Sequence, residues 1–349
     1  MTRDAREIQR KRGADVARKR EGVSLATTRA GTSIPGERST LRVSALAMGL
    51  WTLLALASCG GASEAEGAGE TDSDALTQDA PVVLITGSTG GLGREVALEM
   101  ASRGAHVIVH GRSEERGREV VAEIEAGGVG TAEFHAADLA SLDAVRAFAQ
   151  EVRSLHSRID VLVNNAGIWL EPDQGRLLSE DGHELHFQVN YLSHFLLTQE
   201  LLPLLRAAGT RESPARIINV SSVAQRPIDF DDVGMEEGYS DGRGYAQSKL
   251  AQILHTFDLA EELAGEPILA FALHPATMMD TGMVLSRGAQ ARASVDEGRE
   301  AVVNLITAPG LESGQYFNGL TPARAHDQAY DEEARERLRA LSLKWIEEG

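Results

Sequence analysis

Tyr245 and Lys249 are the side chains whose types and spacing first indicate a reaction. A free tyrosine has a pKa of about 10, so its hydroxyl is a poor base at neutral pH. A neighbouring ammonium stabilises the phenolate and lowers that pKa. Four residues apart in a predicted helix, the two side chains share a face. The pair is therefore suited to proton transfer, although such a pair in isolation is usually part of a solvated helix face.

A glycine-rich stretch forms a second candidate site. In VVLITGSTGGLGREVALEM, residues 82–100, the glycines lie between a predicted strand and a predicted helix. Glycines allow a tight turn and close approach to a pyrophosphate, and the helix N-terminus offers free N–H groups. The pattern predicts a phosphate loop rather than a turn without a ligand. Its candidate contact residues are Thr86, Gly87, Ser88, Gly91, Leu92 and Gly93.

Short apolar runs alternate with amphipathic segments along the rest of the chain. These predicted strands and helices must position the residues of the two candidate sites. The predicted strands are 82–86, 106–110, 132–136, 159–164, 216–222 and 268–274, and the predicted helices are 92–102, 114–126, 141–155, 182–206 and 244–264. Apolar runs buried between helices are typical of parallel strands. The alternation predicts an α/β fold in which one domain, residues 81–349, contains a doubly wound parallel sheet.

Five motifs in the expected order resemble the short-chain dehydrogenase/reductase family over about residues 82–345. The stretch from Thr86 to Gly93 matches the TGxxxGxG loop of the family's classical branch. Gly90 also fits the TGxxGxxG loop of the extended, epimerase-like branch, so the loop alone leaves the branch open. The other motifs are Asn164-Asn165-Ala166-Gly167 (NNAG), the helix asparagine Asn190, the serine Ser222, and Tyr245 to Lys249 (YxxxK).

Later features of the chain favour the classical branch. About 100 residues follow Tyr245, which leaves little room for an extended substrate domain. The segments DGHELHFQVNYLSHFLLT (181–198), YAQSKLAQILHTFDLAEEL (245–263) and SGQYF (313–317) resemble the retinol-dehydrogenase-like and WW-domain-oxidoreductase-like group. The resemblance implies a Rossmann fold and an NAD(P)-dependent oxidoreductase that interconverts an alcohol and a carbonyl.

The resemblance also assigns roles to residues of the predicted site. It implies that Tyr245 transfers the proton, Ser222 hydrogen-bonds the substrate oxygen, and Lys249 reaches the nicotinamide ribose. It implies that Asn190 holds a water that links Lys249 to solvent, although a helix asparagine can simply brace a neighbouring backbone. Further cofactor contacts are implied for Asp138, Leu139, Asn164, Ala166, Gly167, Pro275 and Thr281.

One segment departs from the family pattern. After the sixth predicted strand the chain reads His274-Pro275-Ala276-Thr277-Met278-Met279-Asp280-Thr281. Pro-Ala stands where the family usually has Pro-Gly, and the spacing to Thr281 is about one residue long. The resemblance implies that backbone donors of this segment lie near the carboxamide of the nicotinamide.

The end of the second predicted strand bears on the choice of cofactor. It reads Val109-His110-Gly111-Arg112-Ser113, with no acidic residue to accept from the ribose hydroxyls of NAD. Gly111 leaves room, and Arg112 can pair with a 2′-phosphate. NADP(H) is therefore favoured over NAD(H), unless Arg112 merely points to solvent.

The loop 276–290 bears on the class of substrate, as does the acidic loop 225–243, which disfavours anionic substrates. The loop 276–290 carries five apolar residues, which suit a lipophilic alcohol or carbonyl but equally suit packing on the sheet. A non-catalytic NAD(P)-binding regulatory protein and an extended-type nucleotide-sugar epimerase stay as alternative functions. Homo-oligomers are common in the family, and the sequence leaves this open. The apolar loop residues are Met278, Met279, Met283, Val284 and Leu285.

Charge and histidine spacing disfavour two other classes of partner. The formal net charge of -18 argues against a nucleic-acid partner, since phosphate binding requires a basic surface. His183, His186 and His194 lie close in sequence without a cysteine or carboxylate array of metal-binding spacing. They are expected to be structural, and no metal site is predicted.

The first 80 residues differ from the rest of the chain. Residues 1–42 carry eleven Lys and Arg against five acidic residues, and 43–58 are apolar and uncharged. Leu56-Ala57-Ser58-Cys59 resembles a bacterial lipoprotein box, which predicts a signal within 1–59, acylation of Cys59 and translation from near Leu41. Residues 60–80 form an acidic, glycine-rich linker. The protein is then a membrane-anchored lipoprotein if Cys59 is processed, and otherwise cytoplasmic.

Overall fold

The computed structural model describes residues 80–171 and 174–348. The predicted basic extension, the lipoprotein-type signal with Cys59 and nearly all of the linker lie outside these residues. Within the two described ranges, none of the helices combines the length and the apolarity that a bilayer crossing requires.

Within the described residues, eight strands form one sheet that is parallel except for its last pair. Its order is β3-β2-β1-β4-β5-β6-β7-β8, and only β7 and β8 run antiparallel. The order reverses between β1 and β4, which opens a cleft at the carboxyl ends of the strands. The strands are β1 (Val82–Ile85), β2 (His106–Gly111), β3 (Thr131–Ala136), β4 (Val161–Asn164), β5 (Ala215–Val220), β6 (Ile268–His274), β7 (Gln315–Asn318) and β8 (Thr321–Pro322).

Helices follow the strands in alternation. A π turn (Gln188–Leu192) separates α4 from α5, and a 3₁₀ turn (Asp327–Tyr330) precedes the last helix. The helices are α1 (Gly91–Ser102), α2 (Glu114–Gly127), α3 (Leu142–Leu155), α4 (Leu185–Phe187), α5 (Ser193–Ala208), α6 (Asp241–Glu262), α7 (Gly282–Leu285), α8 (Val295–Thr307) and α9 (Glu332–Glu348).

Two apolar layers lie on opposite faces of the sheet. Successive side chains of a strand point to opposite faces. Val83 and Ile85 accordingly pack with α1, α2 and α8, while Leu84 packs with α3, α5 and α6. Helices thus cover both faces of a mainly parallel sheet, and the predicted doubly wound α/β fold is confirmed.

Serine residues begin several of the helices. The hydroxyls of Ser113, Ser141 and Ser240 accept from the N–H groups three residues later at the starts of α2, α3 and α6. Ser294 and Glu297 form a reciprocal capping box at the start of α8. The cap at Ser240 starts α6 three residues before the predicted boundary.

The predicted helix over 182–206 is interrupted in the structure. It consists of α4, the π turn and α5, because Ser193 N–H donates to the Gln188 carbonyl rather than to the carbonyl four residues back. Apolar periodicity cannot reveal such an interruption, since the residues on both sides of it are buried. The strands β7 and β8 and the helices α7, α8 and α9 were not predicted.

Candidate active site

The predicted site residues converge on the carboxyl edge of the sheet. Thr86 follows β1, Asn164 ends β4, and Ser222 comes two residues after β5. Tyr245 and Lys249 lie in the first turns of α6, which returns to the same edge. The site therefore occupies the place where open α/β sheets bind their ligands.

The glycine-rich loop lies tightly against the segment after β4. Gly87 has a φ of +66°, and an added Cβ there would lie 2.9 Å from the Ala166 Cα. An added Cβ at Gly93 would lie 2.5 Å from both the Gly87 carbonyl oxygen and the Asn165 Nδ2. Only glycine fits at these two positions, so at both of them the loop presents its backbone to the cleft without a side chain.

The start of α1 offers unused hydrogen-bond donors. No side chain of the described residues caps this helix, and Arg94 makes the first backward bond, to the Gly90 carbonyl at 3.4 Å. The N–H groups of Gly91, Leu92 and Gly93 therefore have no intrahelical partner. Together with the positive end of the helix dipole, they form a site for an anion such as a phosphate.

Thr86 joins the loop to the segment after β4. Its Oγ1 accepts from the N–H groups of Asn165 and Ala166, both at 2.9 Å. The Asn165 side chain returns a bond of 2.8 Å to the Thr86 carbonyl. Ser88 acts locally, since its hydroxyl donates to the Ile85 carbonyl and accepts from His110 N–H. Thr86 and Ser88 thus fix the shape of the loop from beneath.

Asn164 lies below the cleft rather than in it. Its fully buried side chain donates to Thr198 Oγ1 at 3.1 Å and to Asn219 Oδ1 at 2.9 Å. Asn219 in turn donates to Thr256 Oγ1. The Asn164 side chain thus links β4 to β5 and to the helices packed on them, and the contact of Asn164 with the cofactor stays a prediction.

Ser222 and Tyr245 are the two residues predicted to act on the substrate oxygen. Burial raises the pKa of Tyr245 above its ordinary value, and a hydrogen bond with the Ser222 side chain acts in the opposite direction. The sequence led us to expect a lowered pKa because of Lys249, but in this structure the desolvation of the hydroxyl outweighs other influences. Tyr245 is thus a protonated acid at neutral pH.

Lys249 is buried beneath this pair. Its Nζ donates to the Val220 carbonyl at 2.8 Å and to Gln252 Oε1 at 2.9 Å, and lies 5.8 Å from the centroid of the Tyr245 ring. An added Cβ at Gly167 would lie 3.5 Å from this Nζ, so Gly167 leaves space beside the ammonium. Burial lowers the pKa of Lys249 to about 7.

This lowered pKa predicts a pH-dependent stability of the cofactor-free protein. Unfolded lysine has a pKa of about 10.4, so above pH ~7 the unfolded chain binds more protons than the native one. The free energy of unfolding should therefore rise with pH between about 7 and 10, by up to about 1.4 kcal/mol per unit. Denaturant unfolding of Lys249→Met should lack this slope.

The exposed Lys344 of α9 provides the matched control. Lys344→Met should keep the slope of the wild type. If Lys249→Met and the wild type gain stability in parallel across this pH range, the burial of a titrating ammonium is not the cause.

Asn190 lies in the π turn and braces the neighbouring loop. Its Oδ1 accepts from Ile168 N–H at 2.7 Å, and its Nδ2 donates to the Ile168 carbonyl and to Ser248 Oγ. This is the bracing role left open by the sequence. The role of holding a water for Lys249 stays a prediction.

His194 connects the π turn to the phosphate loop. Its Nδ1 bonds the Asn190 carbonyl and its Nε2 bonds Thr86 Oγ1, each at 3.0 Å. Burial lowers the pKa of His194 to about 3, so the ring is neutral. The carbonyl accepts from Nδ1–H, which leaves Nε2 to accept from Thr86. His186 bonds Glu184 and Leu170 N–H, and His183 stacks on Trp345.

The residues predicted to contact the adenosine end lie near one another. Arg112 Nη1 is 3.8 Å from Asp138 Oδ2, and both side chains are mostly exposed. Leu139 is buried, and its carbonyl accepts from Ser193 Oγ at 2.6 Å. Exposed ion pairs contribute little to stability. Arg112 is therefore free to exchange Asp138 for another anion.

The segment after β6 approaches the loop from the other side. Pro275 is buried, and the Thr281 Cγ2 would be 3.4 Å from a Cβ added at Gly91. Between them Met278 has a φ of +51°, a left-handed backbone that is costly for a residue with a Cβ. The departure from Pro-Gly thus goes with a distorted turn, which still brings Thr281 to the phosphate loop.

A family model of the short chain dehydrogenases matches residues 81–292. This chain belongs to the short chain dehydrogenase family. The predicted enzyme class, an oxidoreductase of this family, is thereby confirmed, and the retinol dehydrogenases among the relatives confirm the predicted resemblance to that group. The lipoprotein-type signal is not addressed by the match.

Curated relatives extend the family match over most of the described residues. Mouse polyprenol dehydrogenase is 38% identical over 285 residues, which cover 76% of this chain and 84% of that protein. Human retinol dehydrogenase 14 is 36% identical over 293 residues, covering 74% and 84% respectively. Both relatives are therefore similar along nearly their whole length.

Solved structures of the family have the same fold. The RhlG/NADP active-site complex of Pseudomonas aeruginosa matches with a TM-score of 0.56 and 28% identity, covering 68% of this chain and 94% of that one. Several further matching dehydrogenase structures are also complexes with NADP.

Two residues beside the dehydrogenase site were missed by the sequence analysis. The Trp169 ring lies 5.3 Å from the Tyr245 ring, and the Arg287 guanidinium stacks 3.9 Å from the centroid of Trp169. Arg287 also bonds Asp241 at 2.8 Å. Trp169 follows the NNAG motif by two residues, which is a usable signal, whereas nothing in the loop 276–290 singles out Arg287.

Proposed function

We propose that this chain is an NADP(H)-dependent dehydrogenase/reductase that interconverts a lipophilic alcohol and its carbonyl. The observation that carries the proposal is the placement of Tyr245 beside Ser222 and the glycine-rich loop, with the buried Lys249 Nζ 5.8 Å from the centroid of its ring. A proton donor and a phosphate-binding loop at one sheet edge are the two parts that carbonyl reduction requires.

The residues present fit a dinucleotide. The free N–H groups at the start of α1 suit a pyrophosphate, and the glycines at 87 and 93 leave its path clear. Gly167 leaves space next to Lys249 Nζ for a ribose hydroxyl. When bound, NADPH supplies the hydride. Complexes of family members with NADP support the same cofactor here.

The side chains of this site then serve the oxygen of the substrate. Negative charge develops on that oxygen as the carbonyl is reduced, so donors placed there lower the barrier. Ser222 and Tyr245 donate to it, and Tyr245 delivers the proton. The ammonium of Lys249 stabilises the phenolate that remains. Asn190 bonds Ile168, and His194 bonds Thr86. These contacts fix the position of the backbone around Lys249.

Arg112 is expected to set the preference for NADP(H). An exposed guanidinium can pair bidentately with a 2′-phosphate, a type of bond worth about 10- to 100-fold in affinity. Arg112→Ala should weaken NADPH binding by this factor and leave NADH binding unchanged, as measured by titration of nicotinamide fluorescence. Arg118→Ala removes a similarly exposed arginine of α2 and should change neither. Equal losses for the two cofactors would contradict the assignment.

The proposed substrate class rests on the relatives and on the residues near the site. Polyprenol and retinol, named in those relatives, are both apolar alcohols. Here Val223, next to Ser222, is 49% exposed, and Leu285 in α7 is 54% exposed. Trp169 adds an apolar ring beside Tyr245. These surfaces favour an apolar substrate over a charged one.

Turnover of a graded series of unbranched aldehydes by the full chain with NADPH tests the proposal. We expect kcat/KM to rise with chain length by up to roughly fourfold per buried methylene. A kcat/KM that does not change with the chain length of the aldehyde would contradict the proposed substrate class but would still support the proposed hydride chemistry. NADPH binding without any turnover would favour the non-catalytic regulatory alternative, and turnover of a nucleotide sugar the epimerase alternative.

We propose Cys59 as a lipid attachment site, on the lipoprotein-box resemblance alone. Mass spectrometry of the protein from native membranes should find Cys59 as an acylated N-terminus. An unmodified chain that continues upstream of Cys59 would exclude the anchor and leave the dehydrogenase proposal unaffected.

A further inference from the structure

A cluster of histidine and glutamate side chains lies at the end of the sheet opposite to the dehydrogenase site. His106 begins β2, Glu133 lies in β3, and His156 caps the C-terminus of α3. One ligand atom of each lies within 4.8 Å of the ligand atoms of the other two. Three separate elements thus bring two imidazoles and a carboxylate to one point.

His106 is the member least explained by packing. Its side chain is 6% exposed, and its Nε2 has no hydrogen-bond partner among residues 80–171 and 174–348. Its Nδ1 lies 2.8 Å from Thr131 Oγ1. With Nδ1 in contact with Thr131, Nε2 is the nitrogen of His106 that is left for a ligand at the cluster. A buried polar atom without a partner is costly, and this arrangement is typical of metal-binding histidines.

Glu133 supplies the anion of the cluster. Its Oε1 lies 2.6 Å from His156 Nε2 and 2.9 Å from His135 Nε2. The second nitrogen of His135 is 3.3 Å from a Glu151 oxygen. The Glu133 side chain is 31% exposed, so the cluster is open to solvent from its side. His135 and Glu151 are therefore placed to orient the carboxylate from behind.

The local field at this point also favours a cation. His156 ends α3, whose last carbonyls carry the negative end of the helix dipole. Two neutral imidazoles and a carboxylate are a ligand set that suits Zn²⁺. Tetrahedral ligands around zinc lie about 3.4 Å apart, so binding requires the 2.6 Å contact of Glu133 with His156 to widen and the longer separations, up to 4.8 Å, to close.

We propose that His106, Glu133 and His156 form a three-ligand Zn²⁺ site whose fourth position is open to solvent, with His135 and Glu151 as positioning residues. The sequence analysis predicted no metal site, because the three ligands are 27 and 23 residues apart and are brought together only by the pairing of β2 with β3 and by the position of the end of α3. The site would tie the starts of β2 and β3 to the end of α3. A ligand that binds only the native state stabilises it.

Zinc titration of the full, tag-free chain tests the site. Calorimetry should show one equivalent of Zn²⁺ bound, and saturating Zn²⁺ should raise Tm. Co²⁺ should give visible absorption typical of a tetrahedral N/O site. Glu133→Gln, His106→Gln and His156→Gln should each weaken Zn²⁺ binding by at least about 10-fold. His183→Gln removes a histidine stacked on Trp345 instead and should bind as the wild type does.

NADPH binding by each variant shows that the variant is folded. If replacement of the buried His106 prevents folding, the isosteric Glu133→Gln variant still tests the site. No stoichiometric binding by the wild type would overturn the proposal and identify the cluster as a hydrogen-bonded network only. Unchanged affinity in the cluster variants would overturn it as well, because the metal would then bind elsewhere.

Discussion

Replacing Tyr245 with phenylalanine should reduce turnover by about 100- to 10,000-fold, the usual contribution of a positioned general acid. The substitution removes only the phenol hydroxyl and leaves the ring against Trp169. We therefore expect the Kd for NADPH and the Tm to stay near their wild-type values. Steady-state kinetics with a long-chain aldehyde, together with NADPH titration, measure both parts of the expectation.

Tyr330→Phe is the matched control for this change. Tyr330 lies in the 3₁₀ turn before α9, is 43% exposed, and its hydroxyl accepts from Ala325 N–H. The same atom is removed, away from the site, so turnover should persist. Wild-type turnover by Tyr245→Phe would refute the proposed proton transfer, whatever the substrate proves to be.

Replacing Gly93 with alanine should damage cofactor binding through a steric effect. The added methyl would lie 2.5 Å from the Gly87 carbonyl and from Asn165 Nδ2, so the loop must move. Overpacking of this kind costs about 1–3 kcal/mol. For a domain of this size, each kcal/mol lowers Tm by about 2–4 °C. The Kd for NADPH should rise by at least about 10-fold, since the displaced N–H groups are the phosphate donors.

Gly90 provides the control within the same loop. Its φ of 179° is extended backbone, and an added Cβ would meet no atom within 4 Å. Gly90→Ala should therefore keep both the affinity for NADPH and the Tm. If the two alanine variants bind NADPH equally, the close approach at Gly93 does not shape the phosphate site.

The sequence predicted those parts of the site that depend on local order along the chain. The strand, glycine turn and helix from β1 to α1 are contiguous, and the YxxxK pair lies within two turns of α6. Contacts between residues that are far apart in the sequence could not be predicted. The bond from His194 to Thr86 spans 108 residues, and the stack of Arg287 on Trp169 depends on where the loop after β6 folds back.

The electrostatic expectation for Tyr245 was wrong for a related reason. Spacing on a helix shows that Lys249 shares a face with it, but not how deeply both are buried. Lys249 donates hydrogen bonds to the Val220 carbonyl and to Gln252, and the spacing pattern shows neither of these partners. Desolvation, which is invisible in a spacing pattern, therefore dominates both pKa values.

The π turn over Gln188–Leu192 lets the segment that contains Asn190 and the helix α5 face different directions. Each residue of an α-helix advances the chain by about 100° around the axis. The one surplus residue of the turn therefore rotates the segment containing Asn190 relative to α5 by that angle. Asn190 can face Ile168 and the reaction centre while α5 keeps its leucines on the sheet. The direction in which Asn190 points and the packing of the α5 leucines are thus determined independently, although both belong to one continuous stretch of chain.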